Sequence, residues 1–178
     1  MPRFCAFFAS MNVGGHRLKM TDLRDALERE DMEDVETVVA SGNVLFSFDD
    51  RPTDGLSEML AFIVKDRFGF PTFAAVRSAD EVRAAFEDNP FHGKGEDKFV
   101  HTLFLDAQAE KAAFEDLLAA YEGRGPEKMA LGDRCLYVDY VESVGTSKLT
   151  GVFIERKLDR MATGRNMRSL KRIHEKMV

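Results

Sequence analysis

The sequence predicts an α+β protein: a ferredoxin-like βαββαβ first domain, followed by a related βαββ unit with two C-terminal helices. Three observations carry this. Compact apolar or β-branched runs alternate with segments whose apolar residues recur at helical spacing, and the order repeats in the second half. A polar stretch bearing Pro and Gly, Asp88 to Asp97, separates the two sets. The length, 178 residues, suits one domain or two small ones. The expected domains are 1–90 and 98–178, the second ending in a basic amphipathic helix.

In the first half, Arg3 to Ser10 is a Phe-rich run expected as a buried strand, and Asn12-Val13-Gly14-Gly15 is a turn. Met20, Leu23 and Leu27 follow helical spacing, with Thr21 as N-cap and Asp22 and Asp25 near the positive helix start. Val35 to Ala40 and Val44 to Phe48 read as a hairpin broken at Ser41-Gly42-Asn43. Leu56, Met59, Leu60, Ile63 and Val64 form one helical stripe, capped by Thr53 or Asp54 and ended by Gly69. Thr72 to Val76 is the last strand of this domain. Ser78-Ala79-Asp80-Glu81 is a capping box that opens a helix with Val82, Ala85 and Phe86 on one side.

The second half begins the same way. Phe99 to Leu105 is a strand. Asp106 caps a helix through Phe114, Leu117, Leu118 and Tyr121, ending near Gly123. Met129 to Leu131 and Cys135 to Val141 pair across Gly132-Asp133. After Val141 the expectation is helix alone, at Leu149 to Leu158 and Met167 to Met177.

Five short motifs occur in order: Met11-Asn12-Val13-Gly14-Gly15, Lys19-Met20, Ser41-Gly42-Asn43-Val44, Ser147-Lys148-Leu149-Thr150 and Ala162-Thr163-Gly164-Arg165-Asn166. Together they resemble the domain-of-unknown-function 1697 family over nearly the whole chain. The resemblance implies an α+β fold with a ferredoxin-like first domain and a related second one. It implies no settled activity. The chain departs from the usual family wording at Ala9-Ser10, where an Arg-Gly pair is common, and at Met167, where a Trp is common.

Composition narrows the function classes. Fifteen Phe and no Trp place most aromatic rings in cores, because Phe has no polar tip to satisfy. No apolar stretch approaches the roughly 20 residues that span a bilayer, so no membrane partner is expected. Met1-Pro2-Arg3-Phe4 lacks the features of a secretion signal, and Cys5 and Cys135 read as buried free thiols, so the expected location is cytoplasmic. His92 and His101 have no ligand spacing with Cys or carboxylates, and His174 lies on the apolar side of the last helix; no metal site and no cofactor is expected. No nucleophile elbow or paired catalytic carboxylates can be assigned, so enzymatic activity is left open.

Charge supplies the candidate surface. The chain carries a net −6, yet Lys148 to Val178 holds nine Lys or Arg against three Asp or Glu, a net of +6. With Asn166 as N-cap, Met167, Leu170, Ile173, His174 and Met177 share one side of the last helix. Arg165, Arg168, Lys171, Arg172 and Lys176 share the other. Thr163, Gly164, Arg165 and Asn166 precede its first turn, where free amides and the dipole favour an anion. The second candidate is Asn12, Gly14, Gly15 and Arg17, glycines between strand and helix that admit close backbone approach to a ligand. Against both stand the ordinary readings of a structural turn and a solvated basic face.

Three functions follow. The favoured one is a non-enzymatic binding protein for a small anionic ligand or a nucleic-acid backbone. The second is a phosphate or acyl-phosphate hydrolase, by analogy of a ferredoxin-like unit with a glycine loop and Arg17. The third is a protein-interaction or structural role, the basic helix docking on the acidic first domain or on that of a second copy in a homodimer. Phe4, Phe8, Phe46 and Phe48 lie on two strands where RNA-binding sheets stack bases. Their uncharged neighbours and the acidity of the domain as a whole instead point to core or interdomain packing.

Overall fold

The structure, a computed structural model, describes residues 1–9, 12–13, 16–39 and 42–178, with residues 12, 13, 16 and 17 described by backbone alone. It is α+β, with two four-stranded antiparallel sheets and six helices among the described residues. The chain divides into two compact units, Met1–Val82 with Arg172–Val178, and Arg83–Lys171.

In the first unit the sheet strands are β1 (Arg3–Phe8), β4 (Glu33–Thr37), β5 (Asn43–Ser47) and β6 (Ala74–Ser78), in the order β4-β5-β1-β6. A separate two-stranded ribbon, β2 (Asn12–Val13) and β3 (His16–Arg17), follows β1. Helices α1 (Met20–Glu28) and α2 (Thr53–Phe68) fill the two crossovers, and α3 (Ala79–Glu87) follows β6 directly. Phe4, Phe8, Phe46 and Phe48 are all buried in one cluster with Leu23, Leu27, Leu56 and Leu60. Phe4 and Phe46 stand with ring centroids 5.6 Å apart. These rings are core, as their apolar surroundings predict, and offer no exposed stacking platform.

The capping box forms as read. Ser78 N–H donates to Glu81 Oε1 at 3.1 Å and Glu81 N–H donates to Ser78 Oγ at 3.2 Å. Glu81 also accepts from the Thr53 hydroxyl, tying the start of α3 to the start of α2. Thr53 is therefore the first helical residue; Pro52 holds the cap position without a side-chain bond. Proline's fixed φ suits a helix start. Likewise Lys19, not Thr21, precedes α1. Gly69 closes α2 in the left-handed conformation, φ 79°, as expected. The edge strand β6 is covered in part by α2: Val76 N–H donates to Ser57 Oγ at 2.8 Å.

The second unit corrects the expected topology. Its sheet contains β7 (Val100–Leu105), β8 (Lys128–Gly132), β9 (Cys135–Asp139) and a further strand, β10 (Ala162–Asn166), in the order β10-β7-β9-β8. The unit is not βαββ plus helices. With α4 (Lys111–Tyr121) and α5 (Gly151–Leu158) in its crossovers, it repeats the strand order of the first unit. The α6 helix (Met167–Met177) then follows β10 as α3 follows β6. The sequence Ala-Thr-Gly-Arg-Asn hides this strand, since it has one β-branched residue, a glycine and no apolar alternation. The ladder to β7 supplies what propensity lacks, pairing Ala162 with Leu105 through Asn166 with His101.

Asp106 is a second correction. Glu110 precedes α4, and Asp106 Oδ1 instead accepts from the Met161 N–H at 3.2 Å, joining the end of β7 to the approach to β10. Thr150 caps α5 by accepting from Phe153 N–H, so α5 begins at Gly151. The core of this unit gathers Leu103, Leu105, Leu117, Leu136, Val138, Leu149, Ile154 and Leu158. On β7, Thr102 is fully buried and donates to Ala85 O at 2.6 Å, while Asn89 donates to its hydroxyl at 3.3 Å. Every buried polar side chain on this strand is thereby satisfied.

The β8–β9 hairpin turns at Asp133 and Arg134, the latter at φ 51°. A Cβ on Gly132 would lie 2.5 Å from the Tyr137 ring and 2.6 Å from the Cys135 sulfur. Both neighbours are buried and cannot swing away. Gly132→Ala is expected to destabilise the fold by about 1–3 kcal/mol through overpacking. A urea midpoint equal to that of the parent protein would refute this account of the turn.

Candidate functional site

Strand β10 and helix α6 bring Thr163, Gly164, Arg165, Asn166 and Arg168 together. Thr163 is buried at 6 % exposure, Gly164 is exposed, and Arg165 and Asn166 are half-buried, the alternation of an edge strand with one covered face. Arg165 Nη1 donates to Thr163 Oγ1 and to Gly164 O, both at 2.8 Å. Asn166 Oδ1 accepts from Ser169 N–H at 2.8 Å, so the first turn of α6 carries its own cap. The hydroxyl, guanidinium and one amide expected to meet an anion are thus directed at groups of the same segment.

Helix α6 divides as its periodicity predicts. Met167, Leu170, Ile173 and Met177 are buried, the first three completely. Arg168, Arg172 and Lys176 are exposed at successive four-residue steps and form one cationic stripe. Among the described residues these three cations take no ion-pair or hydrogen-bond partner. Lys171 differs: its Nζ lies 3.0 Å from Asp97 Oδ2. His174 is half-buried beside the apolar face.

The other candidate cluster lies in the first unit. Asn12 pairs with Arg17 and Val13 with His16 in the β2–β3 ribbon. Gly14 and Gly15 lie outside the described residues, as does Ser41 of the expected hairpin turn. Gly42 has φ 90°, and its carbonyl accepts from Phe8 N–H at 2.8 Å. Cys5 and Cys135 are free thiols, and both are buried. No described helix is long and apolar enough to cross a membrane.

Sequence reasoning missed a cluster around Tyr121. This buried phenol donates to Glu127 Oε2, and the Ser147 hydroxyl donates to Glu127 Oε1 at 2.8 Å. The clasp holds the loop after α4 against the segment before α5. Gly125 permits it, since a Cβ there would collide with Glu127 and Tyr121. Burial alone would raise the Glu127 carboxyl, but the Tyr121 and Ser147 hydrogen bonds and the Lys148 charge leave it below its ordinary value. Burial, with the Glu127 bond, pushes the Tyr121 phenol up. Gly123 and Gly125 bracketing Arg124 were the one sequence signal of a specialised loop; no spacing links them to Ser147.

An open cleft of about 440 Å³ lies at the end of α5, lined by Asp106, Val152, Glu155, Asp159, Arg160 and Met161. Burial and the nearby Asp106 charge push the Glu155 carboxyl up. A second groove of about 490 Å³ runs along the end of α4, past Tyr121, Gly123, Glu127 and Met129. Both are wide and mixed in polarity, unlike the enclosed apolar pockets that hold most cofactors.

The geometry describes a two-unit α+β protein with a cationic helix face and no assembled catalytic constellation among the described residues. The chain belongs to a family of proteins of unknown function, DUF1697, whose model matches residues 1–137. Among solved structures it is similar to the conserved bacterial protein SP0830 from Streptococcus pneumoniae. The identity is 19%, the TM-score 0.68, and 99% of each chain is covered. At that identity the likeness concerns the fold. No curated protein matches the chain.

His101, paired with Asn166 in the β10–β7 ladder, provides a pH reading of this region. Its Nδ1 lies 3.2 Å from Phe99 O, and its ring meets Tyr140 edge-on at 4.9 Å. Burial lowers its pKa from 6.5, outweighing the hydrogen bond to Phe99 O. The folded protein therefore binds fewer protons than the unfolded chain below that value. The corresponding stability is full above pH 6.5 and is lost as pH falls through the lower folded value. His101→Phe is expected to flatten the acid limb of stability against pH in chemical denaturation. A variant curve parallel to the parent's from neutral pH downward would contradict it.

Proposed function

We propose that this is a non-enzymatic binding protein that holds an anionic partner, a phosphate-bearing ligand or a nucleic-acid backbone, on the exposed face of α6. The observation that supports it is the stripe of Arg168, Arg172 and Lys176, three exposed cations without partners among the described residues, on a chain of net −6. A solvated cation on an acidic protein is ordinary; three in register on a helix whose opposite face is locked into a core form a fixed array. Phosphate recognition requires such an array and little else. Arg165 stands at the head of the stripe, on the strand that sets the helix's position.

The finer fold reading belongs to the same proposal. Each unit has two crossovers and an antiparallel order in which the first strand sits between the third and the fourth, which supports a ferredoxin-like unit used twice. The two buried free thiols support a reducing, cytoplasmic location.

Fluorescence anisotropy with short single-stranded RNA, single-stranded DNA and labelled nucleotides tests the reading. Arg168→Ala combined with Arg172→Ala is expected to weaken binding about tenfold or more at low salt, and the parent affinity is expected to fall steeply as salt rises. Equal affinity of parent and double variant would reject the α6 face as the binding surface.

A further inference from the structure

A second cationic centre lies in the loop-and-helix corner formed by α4 and α5. The Arg124 guanidinium stands over the Phe153 ring at 5.1 Å from its centroid and over the Tyr121 ring at 5.9 Å. Lys157 Nζ approaches the same Phe153 ring at 6.0 Å. Tyr121 and Phe153 themselves meet edge to face, with centroids 6.0 Å apart. Lys148 contributes a further positive charge near Glu127.

One carboxylate beside this group is Glu127. Both Glu127 oxygens are engaged by hydroxyls, Oε2 by Tyr121 and Oε1 by Ser147. Among the described residues Arg124, Lys148 and Lys157 take no ion-pair partner. Two cations therefore converge on one aromatic ring, no more than about 11 Å apart given their distances of 5.1 and 6.0 Å from its centroid. Like charges repel at this range, and the ring faces offset only part of that cost. The same rings restrict the Arg124 side chain, so an anion arriving there pays less to order it.

We propose that Arg124 and Lys157, held by Tyr121 and Phe153 and flanked by Lys148, form a binding site for a diphosphate group. Each cation can make a charge-assisted contact of about 2.8 Å, so a diphosphate, with a charged phosphoryl group at each end, can engage the two together. This site is separate from the α6 stripe and stands on its own observations.

Isothermal titration of the full chain with inorganic pyrophosphate at low ionic strength tests it. The parent protein should bind, and Arg124→Gln with Lys157→Gln should lose about tenfold or more in affinity, as expected for two lost charge-assisted contacts. Phe153→Leu keeps every charge but frees Arg124, and is expected to weaken binding several-fold. Lys65→Gln, the loss of an exposed cation of α2 that belongs to neither surface, should leave pyrophosphate affinity unchanged. Three results would each overturn the proposal: no heat from the parent protein at millimolar pyrophosphate, equal affinity for the Arg124/Lys157 variant, or loss of binding only in the Arg168/Arg172 variant. An unaltered Phe153→Leu affinity would also overturn it, by showing diffuse attraction instead of a held guanidinium.

Discussion

The ladder between β10 and β7 governs the part of the molecule on which its function is argued. Strand and helix are continuous: β10 ends at Asn166 and α6 begins at Met167. The register of the strand therefore sets the rotation of the helix. With Asn166 opposite His101, Met167 and Leu170 fall into the interior and Arg168 and Arg172 fall outside. A slip of one residue would turn every α6 side chain by about 100° and bury a guanidinium, which the interior cannot tolerate without a partner. Asn166 secures the junction by serving both elements, as the last ladder residue and as the cap of Ser169.

Charge is distributed to match this arrangement. Surface ion pairs contribute little each, so the Lys171–Asp97 contact is better understood as orienting than as stabilising. The remaining cations of α6 are held in place by the apolar stripe on the other side of the helix. The Tyr121 corner solves the same problem differently: aromatic faces position Arg124 and Lys157, and the Glu127 carboxylate beside them accepts from two hydroxyl groups. Both places hold positive charge on a fixed scaffold, on a chain whose remaining segments are strongly acidic.

Much of this was legible in the sequence. The α2 stripe, its Gly69 stop and the Ser78–Glu81 capping box depend on local physics, and each formed where periodicity placed it. So did the two faces of α6. The elements that escaped are those whose reason lies elsewhere in the chain. β10 has no strand pattern of its own and exists because β7 offers it a ladder. Asp106 has the chemistry of a helix cap, but a tertiary partner, the Met161 amide, claims it. Thr53 has the chemistry of a cap too, yet bonds Glu81 across 28 residues. The Tyr121–Glu127–Ser147 clasp joins two loops, and no periodicity reports such a meeting. In the candidate site the residue names were readable, while the inward turn of Arg165 towards Thr163 was not.

The most direct test is a chemical-shift map of isotope-labelled protein titrated with a short single-stranded RNA. The account predicts that the largest changes fall on the amides of Arg165 to Arg168 and on the Arg168 and Arg172 side-chain Nε–H groups, with the first sheet's Phe4 and Phe46 unmoved. Saturable shifts confined to other surfaces, with α6 silent, would contradict it.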